Sequence, residues 1–145
     1  MKSYYSSRDL KVHWIDAFVL CRTFNMDLVE LPTEAESVYF LNLCAQRDSD
    51  LNSNFLHIGG SYVGVELNDF YWMSSGQRIN YTMDYAPGQP DNMHGIEQFL
   101  SIYRHPQSYK FNDMDNIVTK WKFICQRITN ACSDLFDDPN CTTVH

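Results

Sequence analysis

Between residues 86 and 97 the chain reads Ala86-Pro87-Gly88-Gln89-Pro90-Asp91-Asn92-Met93-His94-Gly95-Ile96-Glu97. Side-chain oxygens are dense here and no regular hydrophobic period is present. Gln89, Asp91 and Glu97 recur with Asn112-Asp113 further on, and all five offer oxygen ligands, which suit a hard cation such as calcium. The carboxylates of Asp91, Glu97 and Asp113 would repel one another if packed together without a cation. The amides of Gln89 and Asn112 can fill coordination without adding charge. Pro90 between two ligands fixes their relative direction, and a cis Gln89–Pro90 bond would let both side-chain oxygens face one ion. The plainer alternative is an ordinary loop, where Asn, Asp and Gln are also common.

On either side of this segment the hydrophobic period is clear. Leu56-His57-Ile58-Gly59-Gly60, Phe70-Tyr71-Trp72-Met73, Phe99-Leu100-Ser101-Ile102-Tyr103 and Trp121-Lys122-Phe123-Ile124-Cys125 read as strands. Ser74-Ser75-Gly76 and Ala86-Pro87-Gly88 are turn signals between them. Apart from the strand at Phe99, Met83 to Asn116 reads as one long irregular segment, of the kind that carries function. Before the strands, Trp14, Ala17, Phe18 and Cys21 recur at helical spacing between Lys11 and Thr23. Pro32 marks an extended link, and Thr33 with Glu36 forms a capping-box pattern that starts a second helix. Val38, Leu41 and Ala45 are its expected inner face, and 48–54 is expected to be a polar loop. The fold class is therefore α+β, two helices and a run of short strands.

Composition narrows the function. The 145 residues fit one domain, with 14% aromatics and a formal net charge of −7. That sign, with no basic stripe, sets nucleic acid aside. No apolar run reaches membrane-spanning length, so membrane insertion is not expected. Met1, Lys2 and Ser3 do not read as a signal peptide. Five cysteines, none in a CxxC, and the sequons at Asn80 and Asn140 fit a secreted, glycosylated protein, its signal absent from this chain. The odd count leaves one thiol free or bridging to a second chain, so a dimer, disulfide-linked or non-covalent, is compatible.

From about Tyr4 to Gln126 the chain resembles the C-type lectin domain, and closely the short secreted lectins of insects. The resemblance rests on Lys11-Val12-His13-Trp14-Ile15-Asp16-Ala17 before Cys21, on Ile58-Gly59-Gly60 in place of a Trp-Ile-Gly-Leu signature, and on Phe70-Tyr71-Trp72-Met73-Ser74-Ser75-Gly76. It continues in Ala86-Pro87-Gly88-Gln89-Pro90-Asp91-Asn92 and Phe123-Ile124-Cys125. It implies two helices flanking antiparallel sheets with a long calcium-binding loop. It makes Gln89, Asp91, Glu97, Asn112 and Asp113 the calcium ligands and Cys21–Cys125 a disulfide. In the family, calcium coordinates two neighbouring sugar hydroxyls, which the same side chains hydrogen-bond. Gln89-Pro90-Asp91 matches the motif that implies galactose or N-acetylgalactosamine. A carboxylate only accepts, whereas an amide also donates, so exchanging Glu-Pro-Asn for Gln-Pro-Asp reverses the hydrogen-bond pattern at constant charge. The implied function is a calcium-dependent lectin for galactose-type glycans on microbes, host cells or glycoproteins, a role in innate immunity.

Several residues depart from the family pattern. A second disulfide would fall at Phe99 and Asn116, so a staple worth roughly 2–4 kcal/mol is absent. Phe111 replaces the tryptophan before Asn112-Asp113. Gln98 stands where an auxiliary calcium ligand is common, so that site is expected to be weak or empty. No tryptophan follows Asp91 to stack on a sugar. His94 is the candidate there, alongside Gln89, Asp91, Glu97 and Asn112, against the plainer reading of a solvated histidine. His13 and His57 are expected to be packing or surface residues, and Trp14, Trp72 and Trp121 core. The expected organisation is a lectin domain at 1–126 and an acidic, cysteine-containing tail at 127–145. Cys44, Cys132 and Cys141 lie outside the shared pattern; either Cys44 is a buried thiol and the other two pair, or one of the three faces a partner chain. An alternative function is a protein-interaction module on the same fold with a structural calcium. An enzyme is not expected, because calcium would occupy Asp91 and Glu97, the nearest approach to a glycosidase pair.

Overall fold

The computed structural model describes residues 2–62, 69–105 and 108–128. In chain order the elements are β1 (Lys2–Ser6), α1 (Trp14–Thr23), β2 (Asp27–Leu28), α2 (Glu34–Gln46), α3 (Asp48–Leu51), β3 (Phe55–Tyr62), β4 (Phe70–Trp72), β5 (Phe99–His105), β6 (Ser108–Met114) and β7 (Lys122–Ile128). A single 3-10 turn at Met93–Gly95 precedes β5. The sheet runs β1-β7-β3-β5-β6, with β2 beside β7 and β4 beside β3. All pairings are antiparallel except β3 with β7, which is parallel. The α+β expectation holds, with one added short helix and a mixed sheet.

Helix α1 forms where the spacing put it. Trp14, Ala17 and Cys21 are buried on one face, Phe18 is half-buried beside them, and the Trp14 indole N–H donates to the Ile58 carbonyl at 2.7 Å. A disulfide joins Cys21 to Cys125 and so ties α1 to β7 across 104 residues. At Gly59 the link after β2 passes so close that a Cβ would lie 2.8 Å from the carbonyl oxygens of Leu28 and Val29. Only glycine leaves room there for the Gly59 N–H to reach the Val29 carbonyl at 2.7 Å.

Helix α2 starts at Thr33 as expected, whose hydroxyl accepts the Glu36 N–H at 3.2 Å. Its inner face differs: Ser37, Phe40, Leu41 and Cys44 are buried, whereas Val38 and Ala45 are exposed. The buried row steps 37, 40/41, 44, and Val38 lies about 100° away from Ser37 on a helix of about 3.6 residues per turn. Asp48–Leu51 is helical rather than loop, and the buried Lys122 ammonium ties down its end by donating to the carbonyls of Leu51 and Asn52 at 3.1 and 3.2 Å. Burial pushes the Cys44 thiol up to about 12, so it is a protonated, unbridged packing group. Cys132, Cys141, the Asn140 sequon and the acidic tail lie outside the described residues. Asn80, of the other sequon, is exposed.

Besides the two-residue β2, two longer strands were not expected. β1 pairs with β7 from Lys2↔Ile128 to Ser6↔Ile124, which carries β7 two residues past 126. β6 runs through Asn112-Asp113, so the irregular segment stops short of β5 and the last two candidate ligands lie on a strand. Trp14 and Trp72 are core, but Trp121 is half-buried, its ring packed on Phe55 at 4.7 Å.

Candidate functional site

The candidate ligands come from two supports, strand β6 and the turn at 89–97. Register places Asn112 opposite Ser101 and Asp113 opposite Leu100. Asn112 and Asp113 are 8% and 1% exposed, so their backbone is fixed by the sheet and their side chains by packing. The Asn112 amide donates to the Asp113 carbonyl at 2.7 Å, which leaves its Oδ1 turned toward the 89–97 turn.

That turn is docked onto β6 through its own backbone. Ala86 donates to the Phe111 carbonyl at 2.9 Å, and the Gln89–Pro90 peptide is cis. Asp113 then accepts two backbone N–H groups, from Asp91 at 3.3 Å and Asn92 at 2.6 Å. Asn92 sits in the left-handed region at φ 46°, a conformation Asn tolerates, and its Oδ1 accepts the Glu97 N–H at 3.1 Å. The Met93 N–H is shared by Glu97 Oε1 at 3.1 Å and Asp91 Oδ1 at 3.3 Å.

The result is a convergence of oxygens. Carboxylate atoms of Asp91, Glu97 and Asp113 lie within 4.8 Å of one another. One terminal atom of the Gln89 amide lies 2.6 Å from Asp113 Oδ1, 3.0 Å from Asn112 Oδ1 and 3.2 Å from Asp91 Oδ1. An amide NH₂ in that position donates to these oxygens, whereas an amide oxygen there completes a set that a cation must bridge. Electrostatics carry the same signature. Burial first, then the neighbouring Asp91 and Asp113, push the Glu97 carboxyl up to about 7. Burial likewise raises Asp113, against the lowering effect of its two N–H donors. Such a donor set, three carboxylates and two amide oxygens, fits a hard divalent cation.

All five expected ligands are therefore brought together. His94 stands apart from them as an exposed residue at φ 58° in the 3-10 turn, and it joins no metal-ligating cluster among the described residues. His13 occupies the N-cap position of α1 without a side-chain cap bond, while His57 is fully buried, its Nε2 2.9 Å from the Val12 carbonyl. Neither joins the metal-ligating cluster, in line with the expected packing or surface roles. Asn92 was not among the expected site residues, yet it organises the turn; its αL tolerance was the available signal. The positions of the absent staple each reach α1 instead. The Phe99 ring packs on Trp14 at 4.4 Å, and Asn116 Oδ1 accepts the Ile15 N–H at 2.8 Å.

Two helices packed on a sheet closed by paired terminal strands, with a cation-type site on a turn and an adjoining strand, define the class: the chain has the C-type lectin fold. No family model matches the sequence. It is similar to C-type lectin 37Da of Drosophila melanogaster, 29% identical over 134 residues, an alignment covering 86% of this chain and 68% of that protein. It is also similar to perlucin of Haliotis laevigata, 28% identical over 127 residues and covering 87% and 77%. The C-type lectin CEL-I from Cucumaria echinata superposes with a TM-score of 0.68 at 26% identity, over 86% of this chain and 89% of that one. No helix among the described residues is long and apolar enough to cross a membrane.

Proposed function

We propose that this protein is a calcium-dependent carbohydrate-binding lectin that prefers galactose or N-acetylgalactosamine residues. The observation that carries the reading is the convergence of Gln89, Asp91, Glu97, Asn112 and Asp113 on one point, with the Asp91, Glu97 and Asp113 oxygens within 4.8 Å. Three carboxylates held this close need a cation to balance them, and the amides complete an all-oxygen set suited to calcium.

Bound calcium would supply direct coordination to a pair of neighbouring sugar hydroxyls. The chain's own residues set which pair fits. Asp91 and Glu97, acceptors only, each accept a hydrogen bond from a sugar hydroxyl, while the Gln89 amide donates to a hydroxyl oxygen. Asn112 offers its Oδ1 to the cation, its NH₂ being held by the Asp113 carbonyl. Because donors and acceptors occupy fixed places on the turn and on β6, one relative orientation of the two hydroxyls is satisfied and its epimer leaves groups unpaired. Exposed His94, on the turn between Asp91 and Glu97, is the candidate for an added sugar contact. A binding rather than a catalytic role fits this reading, since the carboxylates would be committed to the cation. The Cys21–Cys125 disulfide supports secretion, and glycoproteins or surface glycans are then the accessible partners.

The test is retention on immobilised galactose, with calcium and then with chelator, followed by elution with free galactose or mannose. Calcium-dependent retention reversed by galactose at lower concentration than mannose is the expected result. A protein stabilised by calcium but retained by no sugar would instead be a protein-interaction module with a structural ion.

A further inference from the structure

Beside the cation-type site a recess of about 370 Å³ opens over the sheet, within the range of small-ligand clefts, about 300–1,000 Å³. Its floor and walls include Phe55, Pro87, Tyr103 and His105, and it reaches Gln89 and Asn112 at the other end. Register makes it continuous with the site. Ser101, Tyr103 and His105 alternate onto one face of β5, and Ser101 lies opposite Asn112 on β6. Phe55 on β3 lies opposite Tyr103, their rings 4.9 Å apart, and the His105 ring stands edge-on to Tyr103 at 6.3 Å. Three rings therefore line one end and two amides the other.

We propose that this recess is a second saccharide subsite, which takes the residue next to the terminal sugar of a glycan bound at Gln89, Asp91 and Asn112. The inference rests on the lectin reading above and extends it from a monosaccharide to an oligosaccharide. A pyranose has an apolar C–H face and a rim of hydroxyls, and the recess has the matching pair of surfaces. The electron-rich faces of Tyr103 and Phe55 attract polarised C–H groups, while the Gln89 amide and the His105 imidazole serve hydroxyls. A wholly apolar ligand would leave those polar groups unpaired, and an anionic one would approach the carboxylates of Asp91, Glu97 and Asp113. The turn after Asp91 offers Asn92, Met93 and His94 but no tyrosine, phenylalanine or tryptophan, so among the described residues the β3–β5 side supplies the larger stacking surface.

The experiment is calorimetric titration in calcium of methyl β-galactoside against a panel of galactose-terminated di- and trisaccharides, lactose included. It is run on wild type, Tyr103→Ala, Tyr103→Phe and His105→Ala. At least one oligosaccharide should bind wild type roughly three- to tenfold tighter than the methyl glycoside, the scale of one stacked ring. Tyr103→Ala should abolish that advantage while leaving methyl galactoside and calcium affinities unchanged, and Tyr103→Phe should keep most of it. His105→Ala should reduce it, which serves if Tyr103→Ala does not fold. An advantage that survives in both ring-removal variants, or none for any oligosaccharide when methyl galactoside binds, overturns the subsite. Failure of every sugar, the methyl glycoside included, instead removes the lectin reading beneath it.

Discussion

Replacing Glu97 by Gln should change the sign of its effect on stability when calcium is removed. Glu97 lies within 4.8 Å of both Asp91 and Asp113. Two unit charges at that separation repel by about 1 kcal/mol in water and about 3 kcal/mol at an effective dielectric of about 20. Glu97 is partly exposed, so the water-like end applies, and two pairs give roughly 2 kcal/mol. Gln keeps the Oε1 acceptor for the Met93 N–H, so little else is lost. In chelator at pH 8 the variant should therefore melt higher, by about 4–8 °C at the shift of about 2–4 °C per kcal/mol for a chain of this size. In calcium the order should reverse. Wild type gains about 2.7 kcal/mol at a hundred times the dissociation constant, and a variant lacking one carboxylate ligand gains much less. A pH series supplies the internal control. In the metal-free chain the raised Glu97 pKa, about 7 against 4.5, favours the fold below pH 4.5, and that contribution is lost as pH rises through 7. The advantage of Glu97→Gln in chelator should accordingly appear only toward neutral pH and vanish near pH 4.5. Equal destabilisation with calcium and with chelator would show that Glu97 is a structural acceptor and that the three carboxylates do not form a charged cluster.

Removing the disulfide as Cys21→Ser with Cys125→Ser should cost about 4–5 kcal/mol, the loop-entropy value for about 100 residues, read from urea unfolding in chelator. Protonating His57 should destabilise in the opposite pH direction to Glu97. Burial, outweighing the Val12 hydrogen bond, lowers His57 from 6.5 to about 4, so its contribution is intact above pH 6.5 and lost as pH falls toward 4. At about 1.4 kcal/mol per pKa unit this amounts to about 3 kcal/mol, and His57→Gln should flatten the acid limb of the stability profile by that much. Asp115→Ala should cost roughly 2–3 kcal/mol, because Asp115 Oδ1 accepts the N–H groups of Ile117, Val118 and Thr119 at 2.8, 2.7 and 3.2 Å. Hydrogen exchange at these three amides should rise while calcium affinity stays within a factor of about two, since Asp115 is no ligand.

Legibility in the sequence followed how many levels of structure a feature depends on. The inner face of α1 needs only helical periodicity, and Trp14, Ala17 and Cys21 display it in apolar residues. α2 carries its face in Ser37, Phe40, Leu41 and Cys44, half of it polar or small, while apolar Val38 points to solvent, so a hydrophobic count selects the wrong row. β6 escaped notice because Lys110, Asn112 and Asp113 break its β-type composition. Those residues are polar because they serve the site, and the strand holds through its register with β5 and the buried Tyr109, Phe111 and Met114. The five ligands could be found from chemistry and resemblance together, because oxygen donors must be written in the chain whatever the backbone does. The aromatic recess could not, since it exists only once β3 and β5 pair in the register that faces Phe55 with Tyr103.

The division of support at the site has a mechanical consequence. Asn112 and Asp113 are anchored in a sheet strand, whereas Gln89, Asp91 and Glu97 ride on a turn whose contacts with β6 include two N–H donors to Asp113. Asp113 is thus both an anchor for the turn and a member of the charged cluster that the turn completes. When the cluster is uncompensated, repulsion acts on the turn rather than on the strand, because β6 is fixed along its length by β5 and the core. Loss of the cation should then loosen 89–97 while the sheet persists, and sugar binding would fail through the position of Gln89, Asp91 and Glu97 before any unfolding. Tyr103 and Phe55 stand on the rigid side of this division, so the aromatic wall of the proposed second subsite would keep its place while its Gln89 end moves with the turn.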